Sequence, residues 1–90
     1  MKLTSARLFS ASPVKRLGHA RFLRNVLIAI GNSRDAALAS EAERLLGDAS
    51  PLVRGTAVWA LGKLLPREKF AALARNDDDA AVNEEWAALA

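Results

Sequence analysis

The stretch NVLIAIGNS, Asn25 to Ser33, comes back 31 residues later as TAVWALGKL, Thr56 to Leu64. The match is tightest where Ile28-Ala29-Ile30-Gly31 falls on Trp59-Ala60-Leu61-Gly62. Both copies place apolar residues at helical spacing, so both read as helices of one kind. A second pattern has nearly the same period: Asp48 and Val53-Arg54 return as Asp77 and Val82-Asn83, a shift of 29. A helix pair of this length cannot cover its own apolar face. Units therefore stack, and the pattern predicts a short α-solenoid, degenerate and about two and a half units long.

Reading outward, Phe22, Leu23, Val26, Leu27, Ala29 and Ile30 recur between His19 and Asn32. That arc is wide enough to predict cover from more than one neighbour, with Phe22 in the core. Gly31 reads as a left-handed helix stop. Upstream, Ser12-Pro13 is a cap followed by proline, opening a short turn that Gly18 interrupts. Residues 1–11 show no periodicity. Residues 1–17 thus read as a partly disordered arm or linker with one helical turn, and 18–90 as the repeat domain. Downstream, Asp35 caps a second helix over about 36–46, with Leu38, Ala42, Leu45 and Leu46 inward and Gly47 as its stop. Ser50-Pro51 opens a third, Pro66 a short fourth around Phe70, and residues 80–90 form a fifth around Val82, Trp86 and Leu89. No segment alternates with period two, so the fold reads as all-α with about five helices.

Composition bounds the chemistry. Ninety residues make one domain, and the chain has no cysteine, which removes disulfides, thiolate metal sites and cysteine nucleophiles. No apolar run approaches the roughly 18–20 residues of a membrane span, so a cytoplasmic monomer is expected. His19 is the sole histidine. Asp77-Asp78-Asp79 lacks the alternating ligands and distal glutamate of a calcium loop, and reads as a solvated turn whose last acid caps the next helix. The glycines do not form a phosphate-cradling loop. No catalytic, cofactor or metal site is expected in this chain.

Charge is the feature that points to a partner. The net charge is +3, yet residues 1–34 hold seven bases and no acid, while 35–90 hold six bases and all ten acids. Lys15 and Arg16 lie in the first turn, and Arg21, Arg24, Asn25 and Asn32 fall opposite the apolar arc of the next helix; His19 joins them when protonated. Such a group suits a phosphate backbone. Few aromatics are interleaved, so shape and phosphate reading of a folded RNA is expected rather than base stacking. The alternative is a protein-interaction scaffold with no RNA role.

Arg54 sits within the apolar arc of Val53, Ala57, Val58 and Leu61, where an unpaired charge is costly, so it reads as structural. The repeat resembles HEAT-like repeats, in which an aspartate and an arginine form a ladder between units; that resemblance assigns Asp48 and Arg54 to such a ladder. A longer resemblance covers residues 9–65. Ser12 to Arg16, Gly18, Arg21-Phe22, Arg24-Asn25-Val26, Ile28-Ala29, Gly31-Asn32-Ser33, Ser50 to Arg54, Ala57 and Trp59 to Gly62 match a run in the C-terminal region of epoxyqueuosine reductases. The departures are Ala11, His19, Ala20 and Arg34, the last standing where the family run has glycine. The resemblance implies a cobalamin- and iron–sulfur-dependent oxidoreductase, with cobalamin and two 4Fe-4S clusters, acting in tRNA queuosine modification. It implies that this region packs beside the ferredoxin-like and cobalamin-binding domains and holds a tRNA anticodon stem-loop. The cysteine-rich part of such enzymes has no counterpart here, so the fragment is not expected to catalyse the reaction.

Overall fold

The computed structural model describes the backbone of residues 13–89 and the side chains of 18–89. The arm over residues 1–12 and the side chains of Lys15 and Arg16 lie outside the described residues. Among the described residues five α-helices follow one another: α1 (Pro13–Asn32), α2 (Ala39–Arg44), α3 (Pro51–Leu64), α4 (Arg67–Leu73) and α5 (Ala80–Leu89). Two 3-10 turns, Ala36–Leu38 and Leu45–Gly47, flank α2. Among the described residues there is no strand, and no helix is long and apolar enough to cross a membrane.

Pro13 opens α1, where a missing N–H costs nothing. The helix does not stop at Gly18, as the sequence suggested, but runs on to Asn32. One glycine costs about 1 kcal/mol against alanine, too little to break a twenty-residue helix that packs along α3. Nor is Gly31 the left-handed stop. No described glycine has a positive φ, and the residue that does is Arg34, at 59°. Gly31 serves packing instead: a Cβ there would fall 2.5 Å from Cζ3 of Trp59. Beyond the turn, Asp35 Oδ1 accepts from the Ala37 N–H at 3.0 Å and starts the next helical segment.

The loops before α3 and α5 are two castings of one design. Asp48 Oδ2 accepts from the Ser50 N–H at 3.0 Å, and Asp77 Oδ1 accepts from the Asp79 N–H at 2.9 Å. Ser50 and Asp79 then cap their helices, through the N–H groups of Val53 and of Ala81 and Val82. Six residues after each leading aspartate, a side chain reaches back to its carbonyl. Arg54 Nη1 donates to Asp48 O at 2.9 Å, and Asn83 Nδ2 to Asp77 O at 2.7 Å.

Arg54 does more. Its Nε and Nη2 donate to both oxygens of Asp77, at 3.0 and 3.1 Å, and Nη2 also reaches Asp78. The Arg54 side chain is 14% exposed and that of Asp77 12%. One guanidinium thus ties the inlet of α3, at the Asp48 carbonyl, to the inlet of α5. Asp77 is therefore not the solvated acid the sequence suggested, whereas Asp78 is, at 95% exposure. The fork to Arg54, and next the Asp79 N–H, hold the Asp77 carboxyl below the usual carboxylate range.

The core is centred on α3, which packs against α1, α5 and α2. Leu27, Val53, Ala57, Val58, Ala60 and Leu61 have no accessible surface. Phe70 of α4 meets Trp86 of α5 with ring centroids 5.1 Å apart, tilted by 41°. Gly62 repeats the role of Gly31: a Cβ there would meet Leu89 of α5 at 2.9 Å. Glycines one repeat apart each admit a large side chain from the next helix.

Candidate nucleic-acid interface

Helix α1 divides into three faces. Ala20, Leu27, Ile30 and Gly31 are buried. Arg21, Asn25 and Asn32 form an exposed polar stripe, with Arg24 half-buried one step nearer α3. Arg24 donates to Asn25 Oδ1 through Nη2 at 3.1 Å, which aligns the guanidinium with the stripe. Among the described residues the ion pairs join Arg44 to Glu41 and Arg54 to Asp77 and Asp78, and Arg21 and Arg24 have no acidic partner. His19 is exposed too, but at about 100° per residue it lies nearly opposite Arg21. Those two are not brought together.

The stripe borders a groove of about 540 Å³ between α1, α3 and α5. Arg24, Ile28 and Asn32 line its α1 wall, Thr56 and Trp59 its floor, and Glu84 and Glu85 its α5 wall. Lys63 Nζ stands 5.8 Å from the Trp59 ring centroid, an ammonium over an aromatic face. Trp59 is half-buried, resting on Gly31. Charge thus runs from positive on α1 to negative on α5 across one surface. A polyanion is drawn to the first edge and repelled from the second.

The third face of α1 was not foreseen. Phe22, expected in the core, is 62% exposed, and Val26 and Ala29 lie beside it on the surface. Periodicity gave the apolar arc its width correctly; among the described residues only part of that arc has a neighbour. The acidic groove wall was also missed, because α1 and α5 are far apart in sequence and are brought to one groove across α3.

Iron–sulfur clusters do not fit this chain, which has no cysteine. Among the described residues no group of histidines and acids is placed to hold a metal ion.

No family model matches the chain, and no solved structure matches it. Two curated proteins do. An epoxyqueuosine reductase of Alicycliphilus denitrificans is 40% identical over 65 residues, covering 63% of this chain and 18% of that protein. An epoxyqueuosine reductase of Xanthomonas campestris pv. campestris is 42% identical over 60 residues, covering 63% of this chain and 16% of that protein. The chain spans less than a fifth of either relative. Over nearly two thirds of its own length, this chain is related in sequence to epoxyqueuosine reductases.

Proposed function

We propose that this chain is a HEAT-like module from the C-terminal region of an epoxyqueuosine-reductase-type iron–sulfur protein. In this reading it is cytoplasmic, packs against ferredoxin-like and cobalamin-binding domains, and grips the anticodon stem-loop of a tRNA. Cobalamin and 4Fe-4S chemistry belong to those other domains. The observation that carries the reading is the Arg21–Arg24–Asn25–Asn32 stripe, basic and without acidic partners among the described residues, on a chain with epoxyqueuosine reductase relatives.

Arginine forks pair bidentately with phosphate, and the amides of Asn25 and Asn32 add donors for phosphate or sugar oxygens. Lys15 and Arg16 extend the same sequence of bases toward the start of α1. Glu84 and Glu85 bound the footprint, keeping the backbone of the RNA on the α1 side. Binding of the isolated chain is weak and salt-sensitive, with a slope of about −0.7 to −0.9 per phosphate.

A second reading, a protein-interaction module with no RNA role, is favoured by exposed Phe22 and Val26. NMR titration of the chain with an anticodon stem-loop hairpin at low salt separates the two. Amide shifts at Arg21, Arg24, Asn25 and Asn32 support RNA binding. A spectrum unmoved by excess hairpin leaves only the protein-interaction reading.

A further inference from the structure

Carrying the 31-residue shift outward from Ile28 and Trp59 pairs Phe22 with Val53, Val26 with Ala57, and Ala29 with Ala60. The three residues of α3 have no accessible surface, whereas Phe22 is 62% and Val26 36% exposed. On α3, the side toward α5 is marked by Gly55 and Gly62, which abut Val82, Glu85 and Leu89. At about 100° per residue, Val53, Ala57 and Ala60 lie on the opposite side, away from α5, where α1 and α2 complete the packing of α3. The same face of the repeat is therefore covered in α3 and bare in α1.

We infer that the Phe22–Val26–Ala29 face of α1 seats a helix from outside this chain, laid along α1 as α1 lies along α3. The repeat also specifies the register. Trp59 rests on Gly31 and Leu89 on Gly62. Ile28, the counterpart of Trp59, is 39% exposed and awaits an equivalent. The docked helix presents glycine or alanine opposite Ile28. Its flank carries acids, because Arg21 borders the stripe and residues 1–34 contain none. A second copy laid α1 against α1 is disfavoured on the same ground, since residues 1–34 of both copies are basic and carry no acid. This inference deepens the packing half of the reading above and rests on it; the RNA half can fail without it.

The test is NMR on the labelled 90-residue chain. The probe is a synthetic peptide of residues 13–33 carrying Lys15→Glu, Arg16→Glu, Arg21→Glu and Arg24→Glu, added to about 1 mM. It keeps the face that α1 turns to α3, with charge reversed to suit the rim. Saturable shifts are expected at Phe22, Val26, Ala29 and Ile28. Phe22→Glu in the chain, or Gly31→Leu in the peptide at matched helicity, weakens binding at least about tenfold. Absent shifts, shifts centred on α5, or equal binding by either variant overturn the inference. So do concentration-dependent shifts of the same residues without peptide, which make a second copy the occupant. Nuclear Overhauser contacts from the Phe22 ring to Leu3, Leu8 or Phe9 overturn it likewise, in favour of the chain's own N-terminus. The hairpin titration on the same sample reports on the Arg21 stripe, so loss of RNA binding and loss of peptide binding are read separately.

Discussion

Helices α1 and α3 are two copies of one element in different surroundings. In α3 the side chains at Val53, Ala57 and Ala60 are sealed, and the inlet is clamped by Arg54 across to Asp77. In α1 the equivalent side chains face solvent, and the position equivalent to Arg54 is Leu23, which clamps nothing. Burial here belongs to a residue's place in the array rather than to its type. The covered copy supplies stability and the exposed copy supplies surface.

Breaking the clamp has the largest expected effect. Arg54→Ala removes the fork to Asp77 and the bonds to the Asp48 and Ala49 carbonyls. Thermal unfolding should shift down by about 10 °C, and Leu23→Ala at the matching position of α1 should shift it less. An equal loss at both positions would erase the distinction between covered and exposed copies.

Next comes the close approach of the two copies. Gly31→Ala puts a methyl into the Trp59 ring and should cost about 1–3 kcal/mol in urea unfolding. Gly18→Ala meets nothing within 4 Å and should stabilise by about 1 kcal/mol. Matching signs for the two alanines would show that helix propensity, not packing, governs α1.

Acid sharpens the comparison further. The Asp77 carboxyl is lowered in the folded chain, chiefly by the Arg54 fork. Its contribution is therefore complete above the ordinary aspartate value of about 3.9, and is lost as pH falls through the lower folded value. The wild-type chain should lose stability on acidification below about pH 4 more steeply than Asp77→Asn does, as followed by circular dichroism. Parallel acid curves would remove Asp77 from the account of stability.

The smallest effect concerns Arg34. Its φ of 59° lies where a Cβ costs about 1 kcal/mol, and the epoxyqueuosine reductase run resembled here has glycine at that place. Arg34→Gly should raise stability by roughly that amount in the same urea assay.

The helices were legible in the sequence because caps and periodicity are local. Asp35, Ser50 and Asp79 start their segments where the pattern put them. What was illegible is whatever depends on which helix arrives. Gly31 looked like a stop until Trp59 was seen resting on it. Asp77 looked solvated because its partner lies 23 residues back. Phe22 looked buried because an apolar arc does not say how many neighbours it has. Of the candidate interface, Arg21, Arg24, Asn25 and Asn32 were legible from their spacing on one helix. The opposing wall of Glu84 and Glu85 was not.

The most direct measurement is fluorescence anisotropy of a labelled anticodon stem-loop hairpin, titrated at several salt concentrations. Arg21→Glu with Arg24→Glu should weaken binding and flatten the log–log salt slope by about 1.4, two phosphates at roughly 0.7 each. Glu84→Lys with Glu85→Lys should strengthen binding and steepen the slope. An α1 double variant that binds with wild-type affinity and slope would contradict a phosphate-gripping stripe on α1.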